Sequence, residues 1–563
     1  MSRKKYKEQV ERRVGEERKA MEAKAPARNQ DPSSELTTEV IRTYFDEDGV
    51  GDGKLFNRLH RDKIVGVIDS DDFLFWNGAH WEKAKEKQEF RAIEDVVRLY
   101  ERLAVEKEKE FDSVDKRDDP DLKKELQKQL GAIRRRIKTL RDAPGQDNLK
   151  KMTARVDPPL LVYPEQLDDK PRLMPCPNGV INLETGELEQ GRPRDYLLTA
   201  CETEYDPGLL DVDDPCPVTN DFLLRSMDGD KELVAFIWRL LGYGLIRERK
   251  DHIFMIFHGE HGRNGKDTLI KLITATLGKA LSGDVPVEML LQTPNVKNSS
   301  GPSPDVMRLR GMCIAWINEA EENQKFALAK LKKLSGGSYI TGRSPYSKEE
   351  TSWKQTHLPI MTTNELPKAK ADDAAFWQRA LILKWNLSFV NKPDPAKPYQ
   401  RQADKYLDEK LEKERKGVLA RMVRGAIEYL RDGGLQVPEK VHRWTESQRT
   451  NWDDLAQFLA EWCVCEPGHE RIEEYETSIS ATDLHEAFCL WYARYKDKRF
   501  SISAKKFAEL LNKKEIPSKK SNGIWRLGIT LKSDADIELQ KARELNPPKS
   551  SHKKGEDGND NIL

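Results

Sequence analysis

The stretch that most constrains this chain runs from Ile253 to Ile273. Ile253-Phe254-Met255-Ile256-Phe257-His258 leads into Gly259-Glu260-His261-Gly262-Arg263-Asn264-Gly265-Lys266-Asp267-Thr268, and Leu269, Ile270, Leu272 and Ile273 then recur at helical spacing. An apolar strand, a glycine-rich turn and a helix opening on Gly-Lys are the setting of a phosphate-binding loop. The glycines let the backbone bend so that its N–H groups point at phosphate oxygens, and the helix N-terminus adds roughly half a positive charge. Lys266 is expected to reach the β- and γ-phosphates of a nucleoside triphosphate. Gly259, Gly262, Arg263, Asn264, Gly265, Asp267 and Thr268 are expected to line the same nucleotide. A strict G-x-x-x-x-G-K-[ST] pattern would place glycine at Glu260 and Ser or Thr at Asp267. Asp267 still offers the oxygen that Mg²⁺ accepts, with Thr268 as second choice.

Four short apolar runs, at 253–257, 312–317, 358–361 and 380–383, are separated by polar or helical stretches. Such runs suit strands of a parallel sheet covered on both faces, so the fold class expected is α/β. A nucleotide hydrolase needs carboxylates near the γ-phosphate. The second run ends in Asn318-Glu319-Ala320-Glu321-Glu322, where a parallel strand meets its ligand. Glu319 is expected to share Mg²⁺ with Asp267, and Glu321 is a second candidate; the plainer alternative is a solvated acidic loop. The third run ends in Thr362-Thr363-Asn364-Glu365, and the Asn364 amide is expected to contact the γ-phosphate or the attacking water. Arg379, just before the last run, is expected to stabilise transition-state charge from a neighbouring subunit, which implies a ring.

With 563 residues the chain has room for three or four domains of roughly 150 residues. Lys+Arg and Asp+Glu balance at 96 each, so any nucleic-acid contact has to come from local basic patches. No run approaches the roughly 18 apolar residues of a membrane span, and no apolar segment follows the charged N-terminus. The seven cysteines form no C-x-x-C pair, and Cys463-x-Cys465 with His469 lacks a fourth ligand. These features fit a reducing cytoplasm without membrane attachment.

The texture divides the chain. Residues 1–35 read as disordered, and 36–100 as a small region with a hairpin at Asn77-Gly78 among Phe73, Phe75, Trp76 and Trp81. Residues 101–155 read as a charged helical connector striped by Leu126, Leu130, Ile133, Ile137 and Leu140. Residues 156–245 form a further domain, with short strands around Thr185-Gly186 and a buried helix near 231–244. The nucleotide core spans 246–400, a helical lid 401–450, and a C-terminal domain of three helices and a closing strand 451–532. Lys505, Lys506, Lys513, Lys514, Lys519 and Lys520 gather there, and the polar tail 533–563 reads as disordered.

Taken together, the glycine-rich loop, Asn318–Glu322, Thr362–Glu365 and Phe376-Trp377-Gln378-Arg379 resemble the superfamily 3 helicases. More closely they are similar to the helicase part of phage and plasmid primase-helicases and of the poxvirus-type primase-helicase. Trp76-Asn77-Gly78-Ala79-His80-Trp81-Glu82 is similar to the aromatic turn upstream in that family, residues 178–199 to its pre-helicase domain, and Leu331–Arg343 to the segment between its second and third motifs. The resemblance implies an AAA+-like P-loop core using ATP and Mg²⁺, a homo-hexameric ring on single-stranded and forked DNA, and a C-terminal winged helix. It places Arg343 and Lys348, with Tyr346, on a hairpin facing the DNA channel, and Lys505 and Lys506 on the winged helix as DNA contacts. Two departures stand out: Asp267 replaces Ser/Thr, and residues 1–150 look too short and helical for a primer-synthesising domain, so a separate primase is the expected partner. The function implied is ATP-dependent unwinding in replication of a phage, plasmid or related element, in a bacterial cytosol. The alternatives are an initiator or loader that uses ATP as an assembly switch, and a motor for another nucleic-acid task such as packaging.

Overall fold

The computed structural model describes residues 36–545, apart from 69–71, 86–87, 116–118, 293–302, 319–324, 344–349, 368, 370–372, 470 and 497–501. The disorder expected for 1–35 and for 546–563 therefore lies outside the described residues. The chain forms two compact units, Met1–Asn182 with Glu187–Tyr205, and Leu183–Gly186 with Asp206–Leu563.

In the first unit a four-stranded sheet runs in the order Trp81–Lys83, Phe73–Trp76, Ile64–Val67, Leu161–Val162. The expected hairpin at Asn77-Gly78 is present. Gly78 takes φ +105°, and the Asn77 side-chain oxygen accepts from the backbone N–H of Ala79 and of His80 at 3.0 and 2.9 Å. Residues 101–155 are not a connector. Helices Gln88–Ser113, Pro120–Arg141 and Ala143–Arg155 bury Ile93, Val96, Tyr100, Leu130, Ile133, Leu140 and Leu149 in one core with Ile41, Leu55 and Phe56. The stripe of leucines and isoleucines was legible, but periodicity alone does not say what a stripe packs against. The domain expected at 156–245 is likewise divided. Its paired strands Gly179–Asn182 and Leu188–Glu189 lie in the first unit, and its helices at 217–245 in the second.

The second unit is built on five parallel strands: β1 (Phe254–His258), β2 (Ser282–Val285), β3 (Ile314–Asn318), β4 (Leu358–Thr363) and β5 (Ala380–Lys384), in the order β5-β1-β4-β3-β2. Four of these are the apolar runs of the sequence. β2 went unread because Ser282-Gly283-Asp284-Val285 is an edge strand with a single large apolar residue. Right-handed crossovers put the β1-to-β2 link and the β4-to-β5 link on opposite faces of the sheet. The gap between the C-terminal ends of β1 and β4 is thus a topological switch point, where open α/β sheets take their ligands.

Helix α1 (Lys231–Leu245) packs against helix α3 (Arg415–Asp432), and helix α2 (Lys266–Leu277) follows β1. α1 and α3 approach at backbone distance through two glycines. A Cβ on Gly242 would stand 2.2 Å from the Ala426 nitrogen, and one on Gly425 2.3 Å from the Trp238 carbonyl oxygen. The expected lid at 401–450 begins instead with a strand, Gln400–Gln402, paired in parallel with Ser388–Val390, and becomes helical from Leu407.

At the C-terminal end, helices Asp454–Trp462, Ala481–Tyr495 and Ala504–Lys513 close on Phe458, Phe488, Trp491 and Phe507. A three-stranded sheet runs Ser478–Ser480, Ile524–Leu527, Ser518–Lys520. The tail expected to be disordered from 533 instead continues as helix Ser533–Leu545, with Ala535 and Leu539 buried in this core. Two buried apolar residues, one of them alanine, in a polar segment are too weak a stripe to stand out in sequence. All seven cysteines are free, no cluster of metal-ligating side chains occurs among the described residues, and none of their helices is long and apolar enough to cross a membrane.

Candidate functional site

β1 is buried along its whole length and delivers the chain to the switch point at His258. The loop 259–265 then turns back into α2 with Arg263 at φ +60° and Gly265 at φ +91°, the left-handed region that glycine enters freely. Two of the glycines leave no room for a side chain. A Cβ on Gly259 would sit 2.1 Å from the Asn264 amide nitrogen, and one on Gly265 2.9 Å from the Phe222 ring. Asn264 is buried and its amide donates to the His261 carbonyl at 2.7 Å, fastening the turn from inside.

A second clamp comes from the segment after β5. Trp385 N–H donates to the His258 carbonyl at 2.7 Å, the Ser388 hydroxyl to the Gly262 carbonyl at 2.8 Å, and Phe389 N–H to the Arg263 carbonyl at 2.8 Å. The His261 ring stacks on Tyr399, centroids 3.9 Å apart. These partners were not read from sequence, because a hydroxyl and a ring more than 120 residues downstream carry no local signal.

Lys266, the first residue of α2, is buried. Its ammonium donates to the Asn364 side-chain oxygen at 2.8 Å and to the Thr363 carbonyl at 2.9 Å. The structure thus brings together two residues, 98 positions apart, that sequence reasoning had each assigned to the same nucleotide. His258 adds a bond from Nε2 to the Asn364 carbonyl at 3.2 Å. Burial lowers the His258 pKa below the usual histidine range, so the ring is neutral there and donates to that carbonyl. Asp267 is exposed and Thr268 half-buried, both in the first turn of α2.

β3 ends at Asn318, in register with Thr362 of β4, and the Thr362 hydroxyl donates to the Asn318 side-chain oxygen at 3.0 Å. The Asn318 amide donates in turn to Asp284 on the unread strand β2 at 2.9 Å. Glu319 and Glu321 lie outside the described residues, as do Lys348 and Tyr346. Arg379 sits elsewhere: its carbonyl accepts from Phe254 N–H at the start of β1, and its guanidinium donates to the Ala375 carbonyl at 2.6 Å. A strand of this length separates it from the loop end by on the order of 13 Å, so it does not belong to the Lys266 cluster of its own chain.

Arg343 follows the first strand of the hairpin Tyr339–Gly342 with Thr351–Lys354, and its backbone is tied to Ser303 by bonds of 2.9 and 3.0 Å. Lys505 and Lys506 are exposed on helix Ala504–Lys513, whose first turn is capped by Ser503.

The loop fits the phosphates of a nucleotide: Gly259 and Gly265 admit no Cβ, it opens a helix of 12 residues, and it carries a buried cation beside a strand-end amide. For a divalent ion the described residues supply Asp267 and Thr268 in the same turn, and the acid expected from β3 falls outside them.

The D5 N-terminal-like family model matches residues 53–227. The chain is 28% identical over 386 residues to a protein of Acanthamoeba polyphaga mimivirus named "Putative helicase", covering 67% of this chain and 38% of that one. A "Putative helicase" of Invertebrate iridescent virus 3 is 25% identical over 371 residues, covering 62% and 38% of the two chains. A "Putative primase" of African swine fever virus is 23% identical over 356 residues, covering 58% and 34%. The chain thus spans little more than a third of the length of these relatives. Among solved structures, the apo C-terminal region of NrS-1 aligns with a TM-score of 0.33 at 16% identity, over 55% of this chain and 65% of that one. The chain is thus similar, over part of its length, to the D5 N-terminal-like family and to viral proteins named as helicases and primases.

Proposed function

We propose that this chain is an ATP-dependent DNA helicase motor of replication: an AAA+-like P-loop ATPase followed by a winged-helix DNA-binding domain. The observation that carries the reading is the buried Lys266 ammonium held against Asn364 at the switch point between β1 and β4. A lysine on a glycine-rich loop and an amide on the neighbouring strand tip are two parts that phosphoryl transfer to water needs, one for the phosphate charge and one for the nucleophile. The likeness to viral proteins named as helicases and primases supports DNA as the substrate.

In this reading the loop amides and the α2 N-terminus bind the phosphates, and Lys266 turns from the Thr363 carbonyl toward the β- and γ-oxygens. Asn364 then holds the attacking water. Mg²⁺, when bound, neutralises phosphate charge and is held by Asp267 or Thr268 with Glu319. Arg379, at the far end of the sheet from its own loop, serves the nucleotide of a neighbouring subunit, which makes the active form a closed ring and is compatible with a homo-hexamer. Opening duplex DNA costs about 1.4 kcal/mol per stacked step, which the ATP cycle supplies.

An ATP-switched initiator or loader would bind the same ligands without processive unwinding. Strand displacement on a forked duplex separates the two. Wild-type protein with ATP is expected to release the displaced strand, and Lys266→Ala to release none while still binding DNA. ATP-dependent assembly on DNA without displacement, with either tail polarity, favours the loader.

A further inference from the structure

The C-terminal sheet ends in a hairpin whose tip differs from the rest of its surface. Strands Ser518–Lys520 and Ile524–Leu527 pair with Lys519 opposite Trp525 and Lys520 opposite Ile524. Ile524 and Trp525 are 57% and 37% exposed, on a strand whose next two residues, Arg526 and Leu527, are buried. Opposed residues of an antiparallel pair share a face, so each apolar side chain stands beside a lysine. Neither Lys519 nor Lys520 has a carboxylate partner among the described residues, and no acidic residue occurs between Glu515 and Asp534. The opposite end of the same sheet, next to strand Ser478–Ser480, carries Glu473, Glu474 and Glu476. The bases thus gather at the tip and the acids at the base.

The indole is also arranged in a particular way. Trp525 Nε1 donates to the Ser521 carbonyl at 2.9 Å, across a turn with Asn522 at φ +47° and Gly523 at φ +130°. Its one polar group is spent inside the hairpin, so the exposed ring can stack but cannot donate to a base edge.

We propose that this hairpin tip is a stacking platform for an unpaired nucleobase. Trp525 takes the base, and Lys519 and Lys520 hold the flanking phosphates of a single strand, alongside Lys505 and Lys506. A ring between lysines is the chemistry by which proteins bind single strands without reading sequence. Two exposed apolar side chains are far too small a patch for a stable protein interface, whereas one ring matches one base. The inference rests on reading the C-terminal domain as nucleic-acid binding.

The test uses the full chain without nucleotide, and labelled oligo-dT, oligo-rU and a blunt duplex of equal length over a range of salt. Trp525→Ala is expected to lower single-strand affinity roughly 5- to 100-fold, to leave the salt dependence and the duplex affinity unchanged, and to be rescued by Trp525→Phe. Changing Lys519 and Lys520 together to Ala is expected to lower the salt slope by about 1.4. Oligo-dT and oligo-rU should respond alike; a loss confined to one of them overturns recognition by stacking alone. Wild-type single-strand binding by Trp525→Ala overturns the proposal, as does equal loss on the blunt duplex or failure of Trp525→Phe at unchanged thermal stability. If the Lys505/Lys506 and Lys519/Lys520 changes weaken binding while Trp525→Ala does not, stacking alone fails. If no lysine change weakens binding, the nucleic-acid reading of the domain fails with it.

Discussion

The buried Lys266 amine donates to the Asn364 side-chain oxygen and to the Thr363 carbonyl. Hydrogen bonds to a charged group are worth about 1.5–3 kcal/mol, so Asn364→Ala should cost both the lysine's anchor and the water's partner. We expect kcat for ATP to fall about 100-fold with a smaller change in KM, measured by steady-state hydrolysis. Gly265→Ala should act on binding instead. Its φ of +91° and the Phe222 ring at 2.9 Å leave no place for a methyl group, so nucleotide affinity measured calorimetrically should drop while the fold remains. His357 carries a pH prediction. It is buried, and that burial, with the nearby Arg249 charge, pushes its pKa down to about 3. The unfolded chain takes up this proton near pH 6.5 and the native one does not. The native state therefore loses stability as pH falls from 6.5 toward 3, by about 2 kcal/mol at pH 5 from this residue alone. His357→Gln should flatten the decline of Tm over that window; an unchanged slope would contradict it.

The segment from Trp385 to Gln402 acts as an element on another element. It holds the glycine-rich loop through the Ser388 hydroxyl, the Phe389 N–H and the Tyr399 ring. Removing one hydrogen bond and one ring contact loses about 2 kcal/mol of support. The double change Ser388→Ala with Tyr399→Ala should therefore raise KM for ATP about 30-fold and spare most of kcat. Sequence showed the loop, β1 and the three other long strands, because their apolar runs are buried on both faces. It also showed Asn364, because an amide at the tip of such a run has a structural reason to be there. It did not show β2, the strap, or the helix Ser533–Leu545. An edge strand needs few apolar residues, a strap acts through contacts distant in sequence, and a helix with only two buried positions looks like any polar tail. The stripe at 126–140 was legible as a helix face and misread as a connector, since periodicity did not show that it packs on the preceding helix Gln88–Ser113 and, further upstream, on Ile41, Leu55 and Phe56.

At the scale of the molecule, the position of Arg379 is the informative one. It lies just before the start of β5, at the opposite end of the sheet from Lys266, and in the proposed reading it serves the nucleotide of another copy of the chain. Arg379→Ala and Lys266→Ala should each be inactive alone, and mixing the two should restore part of the ATP hydrolysis, since some interfaces then pair an intact loop with an intact arginine. No recovery on mixing would contradict a shared site. Everything above depends on the loop at 259–266 being the place where ATP is hydrolysed. The most direct measurement is the ATP hydrolysis rate of the purified chain with and without single-stranded DNA, beside Lys266→Ala. The account predicts DNA-stimulated turnover in the wild type, within the range of about 1–1,000 per second usual for enzymes, and its loss in Lys266→Ala. Turnover in Lys266→Ala equal to that of the wild type would contradict it.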